Sequence, residues 1–437
     1  MTQPVEADLL RDILRSPGYM KTLVLCALVG IPVSLASFWF LAAMHSLEHA
    51  LWERVPHSLG WGTAPWWWPL VLLPVAGVIV GLVATHLPGA GGHIPAAGVG
   101  TGGASVAALP GVLLAAAASL PLGATLGPEA PLIALGGGLA LLFRDLSRAP
   151  ATPRGSLLIG TAGAAAAISA IFGSPLVGAV LLIEVAGVGG PQLFAVMIPS
   201  LLSSGVGALV FTGFGRWTGL QTGGLGVKMS VPFTRLDASE VLWALLIAVV
   251  LACVMHRVMA GGHRVAAYVS TRTVSRTTLC ALAAGACAAL YTLATDRTPA
   301  DVASSGQGTL GELTSDPRAW GIGALIAVVV FKSLAYTLCL GSLRGGPIFP
   351  GLFIGAAAGL LLAPLPGLGI VPAMAVGMAA VLASVMRLPV SSVVLVVLLI
   401  DNAAATPVVI LAAVVAFVVT ELLPAPKAAP LKAEAKA

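Results

Sequence analysis

Apolar runs long enough to cross a bilayer recur along nearly the whole chain, and they constrain it more than any other feature. Residues 22–44, 68–87, 241–258, 321–340 and 407–423 form such runs. Each approaches the ~20 residues that span a bilayer core as a helix. A transmembrane β-barrel would instead alternate apolar and polar residues over segments of ~10, whereas these runs are continuous in Ala, Leu, Val and Gly. Only 9% of the 437 residues are charged and 58% are hydrophobic. A soluble domain carries roughly 25% charged residues, so most of this surface must face lipid. The expectation is an all-α, polytopic protein of the cell membrane.

The first run is long and no small-residue cleavage site follows it, so it reads as a retained helix and not a signal peptide. Arg11, Arg15 and Lys21 precede it, and Lys427, Lys432 and Lys436 follow the last run. Cytoplasmic flanks accumulate such residues, which places both termini inside. The ends and loops account for the net charge of +5; no basic stripe with interleaved aromatics suggests a nucleic-acid partner. Trp61, Trp66, Trp67 and Trp68 stand before a span, where an interfacial aromatic belt is expected. The five cysteines lie in or beside apolar runs without pairing or ligand spacing. They read as packing residues, and neither a metal nor a cofactor is expected.

Glycine (52 residues) and proline (31) fall inside the apolar stretches as well as between them. Segments 110–122 and 175–183 are too short to span. Broken helices of this kind build ion sites at mid-membrane depth. The chain also repeats itself. Gly127-Pro128-Glu129-Ala130-Pro131 precedes an apolar helix with glycine at 136, and Gly346-Pro347-Ile348-Phe349-Pro350 precedes one with glycine at 355. Gly163 then leads to Pro175 as Gly377 leads to Pro389. The organisation expected is a segment 1–19, a first membrane repeat 20–215, a Gly-rich link 216–236, a second repeat 237–423 and a tail 424–437. Many transporters invert such halves, and inversion is expected here.

Glu129 stands out as an ionisable group inside an apolar segment, which is a functional candidate by default. It opens a helix, where unpaired N–H groups and about half a positive charge favour an anion. A carboxylate there can occupy the anion's place and leave when protonated; the plainer reading is a carboxylate capping its own helix. Glu184 ends another apolar run and reads either as a functional acid or as a carboxylate bonded to nearby backbone. Asp401-Asn402 reads as a helix junction. Lys332, Arg344 and Arg387 either draw anions inward or snorkel to the interface. His93, in Gly91-Gly92-His93-Ile94-Pro95, could donate to an anion or titrate near neutrality, or simply complete its loop.

These residues carry a resemblance to the CLC family of chloride channels and chloride–proton antiporters. Gly127 to Pro131 looks like the family's G-x-E-G-P motif, with alanine in place of the second glycine. The stretch from Gly163 through Phe172-Gly173-Ser174-Pro175 to Glu184 is similar to the next two helices. Gly345 to Pro350 resembles the G-x-F-x-P region, and Arg387-Leu388-Pro389 with Asp401-Asn402 the segment before the last helix. The order holds over about 85–423. The resemblance implies a CLC-like fold of tilted, broken helices and a homodimer with one anion path per subunit. Glu129 would be the gating glutamate. Gly92, His93, Ile94, Gly127, Pro128, Ala130, Gly346, Ile348 and Phe349 would line the anion site, and Glu184 and Val185 the inner end of a proton path. Anions, chloride first, would be the cargo, with protons added where transport is coupled.

The sequence departs from the family in four places. Gly91 to Pro95 lacks the serine of G-S-G-I-P. No tyrosine follows Tyr336, so the one expected near the last helix is missing. The phenylalanine of the second motif is shifted by one, and Pro347, which has no N–H to offer an anion, falls beside it. Val185 stands where proton-exchanging members carry a second carboxylate. The last departure favours passive, Glu129-gated conduction, with proton-coupled antiport as the alternative. A non-conducting membrane subunit and an intramembrane enzyme are further readings. An enzyme would need a nucleophile–base pair or metal triad, and the chain has no H-E-x-x-H, no G-x-S-x-G and no paired intramembrane aspartates.

Overall fold

The computed structural model describes residues 11, 14–100, 104–148, 152–187, 191–220, 222, 227 and 236–425. Much of the expected segment 1–19, of the link 216–236 and of the tail 424–437 lies outside these residues. Among the described residues eight helices are long and apolar enough to cross a membrane, and five shorter apolar helices accompany them. The first half holds α1 (Pro17–Ser58), α2 (Trp68–His86), α3 (Leu109–Ser119), α4 (Glu129–Leu146), α5 (Pro153–Phe172), α6 (Pro175–Ala186) and α7 (Pro191–Thr218). The second holds α8 (Ala238–Val269), α9 (Thr273–Thr295), α10 (Gln307–Ser315), α11 (Ile322–Ser342), α12 (Ile348–Leu362), α13 (Ile370–Met386), α14 (Pro389–Ile400) and α15 (Thr406–Leu422).

The long helices are inside-out relative to those of a soluble protein. On α11, Ile322, Ile326, Val330 and Leu334 form an exposed stripe one turn apart, while Lys332 and Tyr336 are buried on the opposite face. An apolar outer face with polar groups turned inward suits a lipid solvent. Two shorter helices lie at the centre: every residue of α12 from Ile348 to Leu360 and of α13 from Val371 to Met386 is buried.

The internal repeat appears as repeated packing. A Cβ on Gly136 would stand 2.5 Å from the Gly163 carbonyl oxygen, so glycine lets α4 and α5 cross in contact. A Cβ on Gly355 would stand 2.5 Å from the Gly377 oxygen, which sets the same crossing between α12 and α13. After each pair the chain turns through a left-handed residue, Gly173 (φ 63°) in one half and Arg387 (φ 56°) in the other. A proline then opens a 12-residue helix, α6 or α14. Asp401, left-handed at φ 50°, ends α14, and Asn402 accepts from the Ala404 N–H at 3.0 Å, as a helix junction requires.

Candidate functional site

Each G-P-x-x-P frame places its proline immediately before a helix. Pro128 is the N-cap of α4 and Pro347 the N-cap of α12, so Glu129 and Ile348 are the first residues of the two helices. The glycines before them pair across the halves: the Gly127 N–H donates to the Gly346 carbonyl at 2.7 Å and the Gly346 N–H to the Gly127 carbonyl at 2.5 Å. This isolated antiparallel bridge brings two helix N-termini together. Their free N–H groups and dipoles converge on one point.

The Glu129 carboxylate fills that point. Its side chain is 1% exposed, and Oε1 accepts from the Phe349 N–H of the other half at 2.8 Å. Oε2 is buried without a hydrogen-bond partner. Glycine at 127 and 346 makes room, since a Cβ on either would collide with the carboxylate. In the second repeat the position of Glu129 is taken by Ile348, so the near-symmetric junction carries one acid. The Phe349 ring stacks on Phe172, at the end of α5, with centroids 5.3 Å apart. Tyr336, which is fully buried, donates its hydroxyl to the Pro347 carbonyl at 2.8 Å.

The remaining expected residues are distributed more widely. Ala130 and Pro128 flank Glu129 on the chain. The loop with Gly92, His93 and Ile94 packs on α3: a Cβ on Gly92 would lie 3.2 Å from two Val112 methyls, and its φ is +99°. That position requires glycine, so the missing serine could not be restored there without strain. His93 is exposed and its Nε2 lies 2.9 Å from the Gly98 carbonyl of its own loop. Glu184 bonds to backbone of the opposite half. It accepts the Val390 and Ser391 N–H groups at 3.0 and 2.7 Å and the Ser391 hydroxyl at 2.6 Å. It thereby caps α14, and Val185 is partly buried against the core.

Of the three cations, Lys332 and Arg344 do not snorkel. Lys332 is fully buried, its Nζ donating to the carbonyls of Asp301, Val302, Ala303 and Ser304 at 3.0 to 3.4 Å. Arg344 is buried beside the Gly346 turn. Arg387 is half-exposed and lies 3.5 Å from the Glu421 carboxylate. Tyr336, Phe172 and Ser391 were not expected at these junctions. Tyr336 had one available signal, a rare aromatic hydroxyl inside an apolar run.

Two related halves of broken helices, joined at paired N-termini around a single buried carboxylate, define a class of integral membrane protein. The chain belongs to the voltage-gated chloride channel family, whose profile matches residues 76–421. Among solved structures it resembles a slow cyanobacterial Cl⁻/H⁺ antiporter, with TM-score 0.73 and 19% identity over 93% of this chain and 95% of that one. It also resembles a CLC-type fluoride/proton antiporter, with TM-score 0.68 and 18% identity over 92% and 95% of the two chains. A curated relative is the "Putative ion-transport protein YfeO" of Salmonella paratyphi A, 31% identical over 166 residues. That match spans 37% of this chain and 40% of the relative's length.

Proposed function

We propose that the protein passes monovalent anions, chloride first, through a path that the Glu129 carboxylate closes, and that protonation of Glu129 opens it. The carrying observation is the seat itself. A buried carboxylate occupies the junction of two helix N-termini, held by the Phe349 N–H and with its second oxygen unpartnered. A group placed so stands in for a bound anion. Once protonated it loses its attraction for the helix termini, and the Phe349 N–H is released to an arriving ion. No cationic side chain is needed in the seat, so the ion is not held too tightly to leave. The path is expected once in each subunit of a homodimer embedded in the cell membrane, with both termini cytoplasmic.

Val185 carries no proton, which supports passive conduction. Proton-coupled antiport on the same scaffold is the second reading, since two structural neighbours are described as proton antiporters. Purified protein in chloride-loaded liposomes, with valinomycin setting the voltage, separates the two when chloride and proton movement are recorded together. Passive conduction gives chloride efflux that rises as pH falls, without proton movement; proton uptake locked to chloride efflux makes the protein an antiporter. Glu129→Gln, fixed in the neutral state, should conduct equally at all pH values. A wild-type pH profile persisting in Glu129→Gln would remove Glu129 from the gate.

A further inference from the structure

Arg344 is a buried cation that no carboxylate pairs with among the described residues. Its residue is 8% exposed. Nη1 donates to the Leu343 carbonyl and Nη2 to the Ala90 carbonyl, both at 3.2 Å, and its backbone N–H donates to Ser119 Oγ. The Nε–H is buried and has no partner. Among the described residues the arginines in ion pairs are Arg144 with Asp145, Arg297 with Asp301 and Arg387 with Glu421; none pairs a carboxylate with Arg344. Glu129 does not serve it either, because that carboxylate sits on the Phe349 N–H.

A guanidinium taken out of water is costly unless it is paired and hydrogen-bonded. Lys332 shows how this fold meets that need, with four carbonyls around one ammonium. Arg344 has two neutral acceptors for its side chain, half as many for a larger donor set, and its Nε–H meets none. Its position is equally specific. It precedes Gly346 by two residues, so its Cα lies within about 7 Å of the turn that seats Glu129. Its stem packs on the same loop that holds Gly92: a Cβ on Gly91 would be 3.7 Å from Arg344 Cγ.

We propose that Arg344 is a second anion station beside the Glu129 seat, where its charge and free Nε–H bind a small monovalent anion on the same path. The proposal rests on the anion-path reading and adds a cationic subsite to it. One idle N–H on a full charge suits a halide held by a single strong bond.

Bromide is the probe, used on the full-length protein. Bromide-soaked crystals of the wild type should show an anomalous peak within hydrogen-bonding distance of Arg344 Nε; peaks elsewhere with none at Arg344 would overturn the station without any variant. Equilibrium chloride binding to Arg344→Gln should weaken at least tenfold relative to wild type, while Arg344→Lys, which keeps the charge and loses the planar fork, should fall between. Wild-type affinity and stoichiometry in a correctly folded Arg344→Gln would also overturn it. Failure of the transport reading looks different. Bromide at Arg344 in a wild type that moves no anion in liposomes would sink transport and keep the station. Wild-type flux and its chloride dependence retained in Arg344→Gln would keep transport and sink the station.

Discussion

At the scale of single residues, the site depends on one acid and the two glycines that admit it. Glu129 was legible because a carboxylate within an apolar run has no inexpensive structural use. Its actual partner, the Phe349 N–H, lies 220 residues away and was not legible, since no local pattern links the two. Gly346 carries a direct test. Gly346→Ala would drive a methyl into the Glu129 carboxylate, so the acid must leave its seat or the helix N-termini must part. The expected result is a loss of about 1–3 kcal/mol, as for overpacking elsewhere, together with a flattened pH dependence of anion flux. Thermal unfolding in detergent and liposome efflux measure the two effects; an unchanged pH profile would show that the carboxylate does not need that space.

At the scale of helices, glycine spacing and proline placement encoded the crossings. Gly136 with Gly163, and Gly355 with Gly377, were visible as repeated positions before their contact was known. The role of Glu184 shows the opposite case. From the sequence it was an acid at the end of α6; in the fold it caps α14 from the other half and satisfies two N–H groups that the helix cannot bond internally. Ser391→Ala removes one charge-assisted bond of this cap, so a cost of about 1.5–3 kcal/mol is expected, read as a lower denaturation midpoint. Chloride flux in that variant should keep its wild-type pH profile. A changed profile would make the Glu184 junction part of the proton chemistry and weaken the case for a purely structural cap.

At the scale of the whole molecule, one buried ammonium ties α11 to the 301–304 turn. Thr125, just ahead of Gly127, donates to the Val302 carbonyl of the same turn at 3.1 Å. Lys332 therefore helps set the frame in which the two G-P-x-x-P turns meet. Lys332→Met keeps most of the stem and leaves the four carbonyls without their shared donor. Each buried polar group left unsatisfied costs about 1–3 kcal/mol, so the variant should lose at least ~2 kcal/mol and unfold at a lower temperature in detergent. A variant as stable as wild type would mean that water or Thr125 satisfies those carbonyls.

The sequence by itself determined that this chain is helical, membrane-embedded and built of two related halves with an acid at a helix start. Those properties are written locally, in the length of apolar runs, in the spacing of glycine and proline, and in the rarity of charge. The tertiary structure alone decided which groups meet: Gly127 with Gly346, Glu129 with Phe349, Glu184 with Ser391, and Lys332 with a ring of carbonyls. It also decided that Arg344 is buried unpaired, where snorkelling to the interface was an equal expectation. Such pairings arise only when the halves close on each other. In a bilayer interior every polar group must then find its partner within the protein, and a single sequence does not record which partner that is.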